Sequence, residues 1–297
     1  CEKPGMEEYR LIAANRYGMY EIHGTRAKKI NDFNSFQMYC PEKDPFHLML
    51  GNENGLSSIR YNFQTKSWGP VEQLASLPGA VLFIDEDKEN NIWVSCTFKG
   101  FYKISLDYDK VTPVKNRVRK IENFFTLHGL PEDNDPGLKK IRDEILFLTD
   151  SGIYRFNEKK QYFYHDTLLN PLIYANSPMG EIYRMTTDPR GNLWIDGNHL
   201  LLNQNGSFSY DNFYLKRIES DNIRKTYPEK DGTIWFGGEK LFKLNFCENF
   251  KNYDKIHAFV RKVIIKNDSL IFGGTFYNDS NNLCLSQTEK LIPSIDY

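Results

Sequence analysis

No stretch of this chain is apolar for long enough to cross a bilayer. Its hydrophobic runs are a few residues each, against the roughly 20 that a membrane helix needs. Membrane attachment is therefore expected only through segments outside the chain. An excess of one charge is missing too: 38 Lys and Arg stand against 39 Asp and Glu, the pI is near 6.7, and no basic stripe follows the chain. A nucleic-acid partner is accordingly not expected. Cysteine is sparse, with Cys1, Cys40, Cys96, Cys247 and Cys284 scattered and no CxxC pair. The histidines His23, His47, His128, His165, His199 and His257 lie far apart. These spacings exclude a zinc finger and are read as isolated thiols. Cys1 is either a lipidation cysteine left after signal processing or an arbitrary chain boundary.

Catalytic signatures are also lacking. The sequence has no GxSxG elbow, P-loop, HExxH or dinucleotide fingerprint, so neither an enzyme nor a cofactor is expected, and no metal. The His165-Asp166 dipeptide, beside the aromatic run QYFYHD, is read as structural. Asp85-Glu86-Asp87 and Glu89 suggest the start of a calcium loop. Its sixth position, however, is Asn90 where glycine is needed, and its twelfth is Cys96 where glutamate is needed; a solvated turn is the expectation. No local motif supports a carboxylate pair for glycoside hydrolysis. Three Asn-x-Ser sites, at Asn205, Asn267 and Asn278, match the glycosylation pattern.

What the chain does have is aromatic residues, 14% of its 297 positions (21 Phe, 18 Tyr, 4 Trp), which favour pleated, half-buried surfaces. They recur in a repeat. DKENNIWVSCTFKGFYKIS from Asp87, DPRGNLWIDGNHLLLNQNG from Asp188 and EKDGTIWFGGEKLFKLN from Glu229 share a polar turn, an apolar residue, a Trp, a small or polar stretch and a second apolar strand. Looser copies without the Trp begin at Tyr9, Pro45 and Asp143. Aligning Ile12, Met49, Trp93, Phe147, Trp194 and Trp235 gives a mean step of about 45 residues, the length of one propeller blade. No segment of useful length shows a helical period. Radial repetition of short strands also leaves few free sheet edges. The expected fold is all-β, a β-propeller of about seven four-stranded blades, six legible and one from the C-terminal segment. Residues 1–257 are assigned to the propeller repeats. Residues 258–297 are either the last blade or the start of a separate β domain.

Within Ala80–Ser105, strands are expected at Val81–Asp85, Ile92–Ser95 and Phe101–Ile104, with Val111–Val114 as the fourth. Asn90-Asn91 can take positive φ, as Gly191 and Asp231-Gly232 can in the sister repeats. Lys115–Leu138 is read as an insertion or an elongated loop between the third and fourth blades.

In a propeller with strands a to d in each blade, the b–c turns and the d–a connectors share the face around the channel mouth. Those turns carry Arg16, Tyr17, Glu53, Phe98, Lys99, Asp150, His199, Glu239 and Lys240. Aromatic rings mixed with amide, carboxylate and basic groups suit a sugar, since rings stack on its apolar face while polar groups take its hydroxyls.

The D-x-x-G-x-[LI]-W-x-G core, present as DPRGNLWIDG and EKDGTIWFGG, resembles the two-component-regulator propeller repeat. HGLPED, SGIYRFNEKKQYF and HAFVRKVIIKNDSLIFGG resemble the stretch in which such a propeller ends and a triple-tyrosine domain begins. The resemblance implies the periplasmic or extracellular sensor region of a bacterial transmembrane signalling protein of the kind common in Bacteroidetes. It implies an oligosaccharide or other small ligand as input, a kinase or other output domain elsewhere, and self-association as a dimer. The triple-tyrosine domain would be cut short at LIPSIDY, which leaves the output undetermined. A protein-interaction scaffold is the alternative function, and a propeller hydrolase or lyase a third.

Overall fold

The computed structural model describes residues 10–44, 46–108, 116–132, 136–176, 182–197, 199–211, 215, 223–245, 262–265 and 269–273. The chain divides after Phe246 into two units. The first holds six antiparallel sheets in chain order, the blades of a β-propeller. Blade 1 is Leu11–Asn15, Gly18–His23 and Arg26–Asn31. Blade 2 is Gln37–Tyr39, His47–Asn52, Gly55–Asn62 and Ser67–Ser76. Blade 3 is Val81–Glu86, Ile92–Cys96, Gly100–Leu106 and Val118–Phe124. Blade 4 is Gly137–Ile141, Glu144–Thr149, Gly152–Asn157 and Tyr162–His165. Blade 5 is Met185–Thr187, Leu193–Ile195, His199–Gln204 and Ser207–Tyr210. Blade 6 is Lys225–Pro228, Thr233–Gly237 and Leu241–Asn245. Blades 2 to 5 each show all four strands; blade 1 shows strands b to d and blade 6 strands a to c. The second unit contains one antiparallel hairpin, Lys262–Ile265 with Ser269–Gly273.

The sequence repeat has a direct physical cause. All six aligned positions, Ile12, Met49, Trp93, Phe147, Trp194 and Trp235, lie on strand b. Six residues before each Trp stands an acid that accepts its indole N–H: Asp87 for Trp93 at 2.9 Å, Asp188 for Trp194 at 3.0 Å, Glu229 for Trp235 at 2.6 Å. The same acid closes the a–b turn. Asp188 Oδ1 accepts the backbone N–H groups of Arg190 and Asn192, and its own N–H donates to the Asn192 carbonyl. Asp87 does likewise with Glu89 and Asn91. One side chain thereby fixes both the reversal and the ring that fills the space between blades.

The left-handed position in this turn is held by Asn90 (φ 68°), Gly191 (φ 80°) and Gly232 (φ 89°). An Ala at position 90 would meet the steric cost of that region, whereas Gly fits it. Asn90→Ala is expected to lower stability by about 1 kcal/mol, and Asn90→Gly to leave it within about 0.5 kcal/mol. Urea denaturation of the two variants measures the difference.

The core lies in the wedges between successive blades. Between blades 3 and 4, Trp93 is 2% exposed and packs on Phe124, Phe147 and Phe156 at centroid distances of 5.0–5.3 Å. Between blades 5 and 6, Trp194 packs with Leu200, Ile234 and Phe236. Aliphatic sets fill the wedge of blades 2 and 3 around Leu56 and Val94, and that of blades 4 and 5 around Leu148 and Ile195.

Three expectations are corrected. Strand d of blade 3 is Val118–Phe124, paired Phe101↔Phe124 to Leu106↔Val118; Val111–Val114 lies outside the described residues. The ladder needs N–H groups that Pro113 could not supply, and it gains the buried Phe124 ring. Lys115–Leu138 is consequently no simple insertion, since it contains that strand and the start of strand a of blade 4. The run Asp85-Glu86-Asp87 is buried, not solvated. Asp85 binds the Lys139 ammonium at 2.9 Å, and Glu86 accepts the Glu42 backbone N–H at 2.8 Å and the Tyr39 hydroxyl at 3.3 Å. Burial pushes the Glu86 carboxyl above its usual range.

His165 and Asp166 are both engaged in contacts within blade 4 and its connector. Asp166 is buried, pairs with Arg155, and accepts the Leu168 N–H ahead of the short helix Leu169–Tyr174. His165 shares a 2.7 Å hydrogen bond with the Tyr154 hydroxyl. Cys96 is a buried free thiol. Asn205 sits in an exposed c–d turn of blade 5, and Asn267 and Asn278 lie outside the described residues.

Candidate functional site

The b–c turns and d–a connectors share one face. The Thr97 N–H donates to the Ala80 carbonyl, that of Leu77 to Asn54, and that of Arg224 to Gly237. Each pair joins a connector to a b–c turn. Close approach demands glycine at the turn exits: Gly18, Gly55, Gly100 and Gly152 all have positive φ. All nine predicted residues stand in or beside these turns, but they are distributed around the ring blade by blade. Arg16 lies over the Tyr17 ring at 4.7 Å and donates to its hydroxyl at 2.6 Å, an exposed local pair. Glu53 is exposed in the turn of blade 2, and Glu239 and Lys240 are exposed in that of blade 6. Asp150 occupies the turn of blade 4. His199 is occupied by its strand-d neighbour, with its Nδ1 3.0 Å from the Tyr210 hydroxyl.

Phe98 and Lys99 are the two that enter a shared cleft. It has a volume of about 500 Å³ and is also lined by Asn123, Phe125, Leu130 and Glu132. Phe98 is 65% exposed and held at positive φ (58°), while Phe125 is 40% exposed. Two uncovered rings beside an ammonium, an amide and a carboxylate can stack on an apolar face and bind hydroxyls around it.

The sequence reading missed a second site at the mouth of the channel. Strands a of blades 2 to 6 and their connectors line a cavity of about 190 Å³ whose charged residues are Asp85, Lys139, Arg184, Asp196, Arg224 and Lys225. Only Asp196 falls within a b–c turn, so a search confined to turns passes over the others. Its two carboxylate oxygens accept the backbone N–H groups of Tyr183 (3.0 Å) and Arg184 (2.9 Å). Burial pushes its pKa up to about 6, only partly offset by those N–H groups and the Arg184 charge. Ionising Asp196 therefore costs more in the folded chain than in the unfolded one. The associated stability is complete below pH 3.8 and is lost as pH rises through about 6. Carbon-detected NMR should place the Asp196 carboxyl midpoint near 6; a midpoint near the ordinary 3.8 would contradict this burial. Lys225 is shifted the other way for a cation, downward, by burial and by the charges of Arg184 and Lys139.

An acidic group formed by Asp87, Glu89 and Glu158 has carboxylate oxygens close enough to share an ion. The Lys103 ammonium already sits 2.6 Å from Glu158 and 3.6 Å from Asp87, so one of the three negative charges there is countered from within.

Antiparallel blades, with the a–b turn tied to a core ring in the Trp-bearing repeats, define a β-propeller with one connector-and-turn face. No protein family's sequence profile matches the chain, and no curated protein does. Among solved structures it is similar to the extracellular domain of the hybrid two-component system BT3049 of Bacteroides thetaiotaomicron, with 18% identity and a TM-score of 0.56 over 92% of this chain and 36% of that one. It is similar to the extracellular domain of the hybrid two-component system BT4673 of the same organism, with 16% identity and a TM-score of 0.56 over 80% and 30%. It is also similar to PorZ, a surface component of the type-IX secretion system of Porphyromonas gingivalis, with 13% identity and a TM-score of 0.52 over 80% and 37%. The chain thus spans about a third of the length of each. At these identities the likeness establishes the propeller fold. Among the described residues, no helix is long and apolar enough to cross a membrane.

Proposed function

We propose that this chain is an extracytoplasmic sensing propeller of a bacterial signalling protein, and that it binds an oligosaccharide on its connector-and-turn face. The observation that carries the reading is the cleft in which Phe98 and Phe125 stand uncovered beside Lys99, Asn123 and Glu132. A large ring left in water on a turn gains nothing for the fold, whereas it gains contact area when a sugar stacks on it. The repeat phrases and the extracellular domains among the structural neighbours support the location and the sensing role. Occupancy would act by shifting the population of domain or dimer arrangements that an output domain outside this chain reads. The chain's own part is binding, and any catalytic output lies elsewhere.

Affinity electrophoresis tests the cleft. Wild-type chain is expected to be retarded in native gels containing one class of polysaccharide, with Phe98→Ala weakening the affinity about tenfold, the equivalent of about 1.4 kcal/mol. Equal retardation of wild type and Phe98→Ala would remove the cleft from the binding surface. Free migration in every gel would favour the protein-interaction scaffold instead.

A further inference from the structure

We infer that the channel mouth between blades 5 and 6 is a second ligand site, selective for a small solute bearing a carboxylate or sulfate group such as an acidic sugar. Charge is distributed unevenly in this cavity. Within this cavity Asp85 holds Lys139 at 2.9 Å, and beside it Glu42 holds Lys140 at 3.0 Å. The other cations of the lining have no such partner. Arg184, Arg224 and Lys225 line the same cavity, all three are exposed, and none has a carboxylate within salt-bridge distance among the described residues.

Asp196, which lines the same cavity, offsets only part of this charge: Arg184 favours its ionised form, yet it makes no salt bridge among the described residues. Both of its oxygens are taken by backbone N–H groups, and burial keeps part of its population protonated around pH 6. Three cations gathered in a cavity of about 190 Å³ repel one another. Lys225 feels part of that repulsion: its charged form is disfavoured first by burial and then by the charges of Arg184 and Lys139. An anion entering the mouth would relieve it. Guanidinium forks from Arg184 and Arg224 offer paired donors that match a carboxylate or sulfate in geometry as well as sign. The volume has room for one such group with part of a sugar ring attached. The remaining lining is Trp194, Met185 and Ile223, an apolar wall for the ring's non-polar face.

This site is separate from the Phe98 cleft, and the test keeps the two apart. Isothermal titration of the whole chain would use D-glucuronate, sulfate and D-glucose as probes, at about 0.01 M salt and again in about 0.5 M sodium chloride, where the Debye length is roughly sevenfold shorter and anion binding should weaken. Saturable binding of glucuronate or sulfate, with none of glucose, is expected. Arg224→Gln and Lys225→Gln, both at exposed positions, should each weaken it about tenfold while leaving the melting temperature unchanged. Phe98→Ala should leave it intact. The inference is overturned if glucose binds as well as glucuronate, if no anion binds, or if the Arg224→Gln, Lys225→Gln double variant binds the anions as wild type does. None of these results bears on the Phe98 cleft, whose own variant reports on it.

Discussion

Replacing Trp194 with alanine is expected to lower the stability of the first unit by about 3–5 kcal/mol, the range for deleting a large buried aromatic side chain. The ring is 1% exposed and fills the wedge between blades 5 and 6, with Phe236 at a centroid distance of 5.6 Å. It is also half of the turn lock, because its indole N–H donates to Asp188 Oδ2 at 3.0 Å. Trp194→Phe separates these contributions. It keeps most of the packing and removes only the hydrogen bond, so a loss of about 1–2 kcal/mol is expected. Asp188 Oδ2 still accepts from Asn192 Nδ2 at 2.8 Å, which holds the cost to that range. Urea midpoints with unchanged m-values would give both numbers. A loss below about 1 kcal/mol for Trp194→Ala would mean that the wedge does not depend on the ring, against the cost that burial predicts.

The second large effect is expected at Gly100, which leaves the b–c turn of blade 3. Its φ is +76°, and a Cβ built there would lie 2.2 Å from the Phe124 carbonyl oxygen. That oxygen belongs to the backbone of strand d, so no side chain can swing aside to make room. Gly100→Ala would carry the left-handed penalty and would also pry strand d away from strand c, where Phe101 pairs with Phe124. Together these should cost about 2–4 kcal/mol. Because Phe124 stacks on Trp93 at 5.3 Å, the near-ultraviolet circular dichroism of the aromatic cluster should weaken as well. A variant with wild-type stability and spectrum would show that strand d tolerates displacement. Gly24, whose Cβ would meet nothing within 4 Å, is the control: it has φ +57°, and its substitution carries only the conformational penalty.

The blades were legible because the residues that build them also signal them. An acid six residues before Trp marks both the turn and the core, so Asp87, Asp188 and Glu229 with their tryptophans placed three blades at once. Met49 and Phe147 were placed by looser copies of the repeat that lack the Trp, since apolar rings and chains of other kinds fill the same wedge. Strand d of blade 3 was misplaced because VTPV looks more strand-like by composition than VRKIENF. Only the three-dimensional partner of Phe124, the Trp93 ring, decides between them. The buried run Asp85-Glu86-Asp87 was misread for the same reason. Its cations and donors, Lys139, Glu42 and Tyr39, come from neighbouring blades far away in sequence, and no local pattern reveals them. The turns were identified correctly as elements, and Phe98 and Lys99 were selected from them on side-chain chemistry. The channel mouth was missed because Arg184, Arg224 and Lys225 stand on connectors and inner strands with no motif of their own. Radial symmetry alone brings them together.

The measurement that bears most directly on the sensing role is a thermal-shift series of the purified chain against neutral and acidic oligosaccharides over a range of concentrations. A ligand that binds only the folded state raises the melting temperature in proportion to the logarithm of its excess over the dissociation constant. The account predicts a concentration-dependent rise for one class of saccharide, reduced in Phe98→Ala. A flat response to every saccharide, with the chain folded and melting cooperatively, would contradict it.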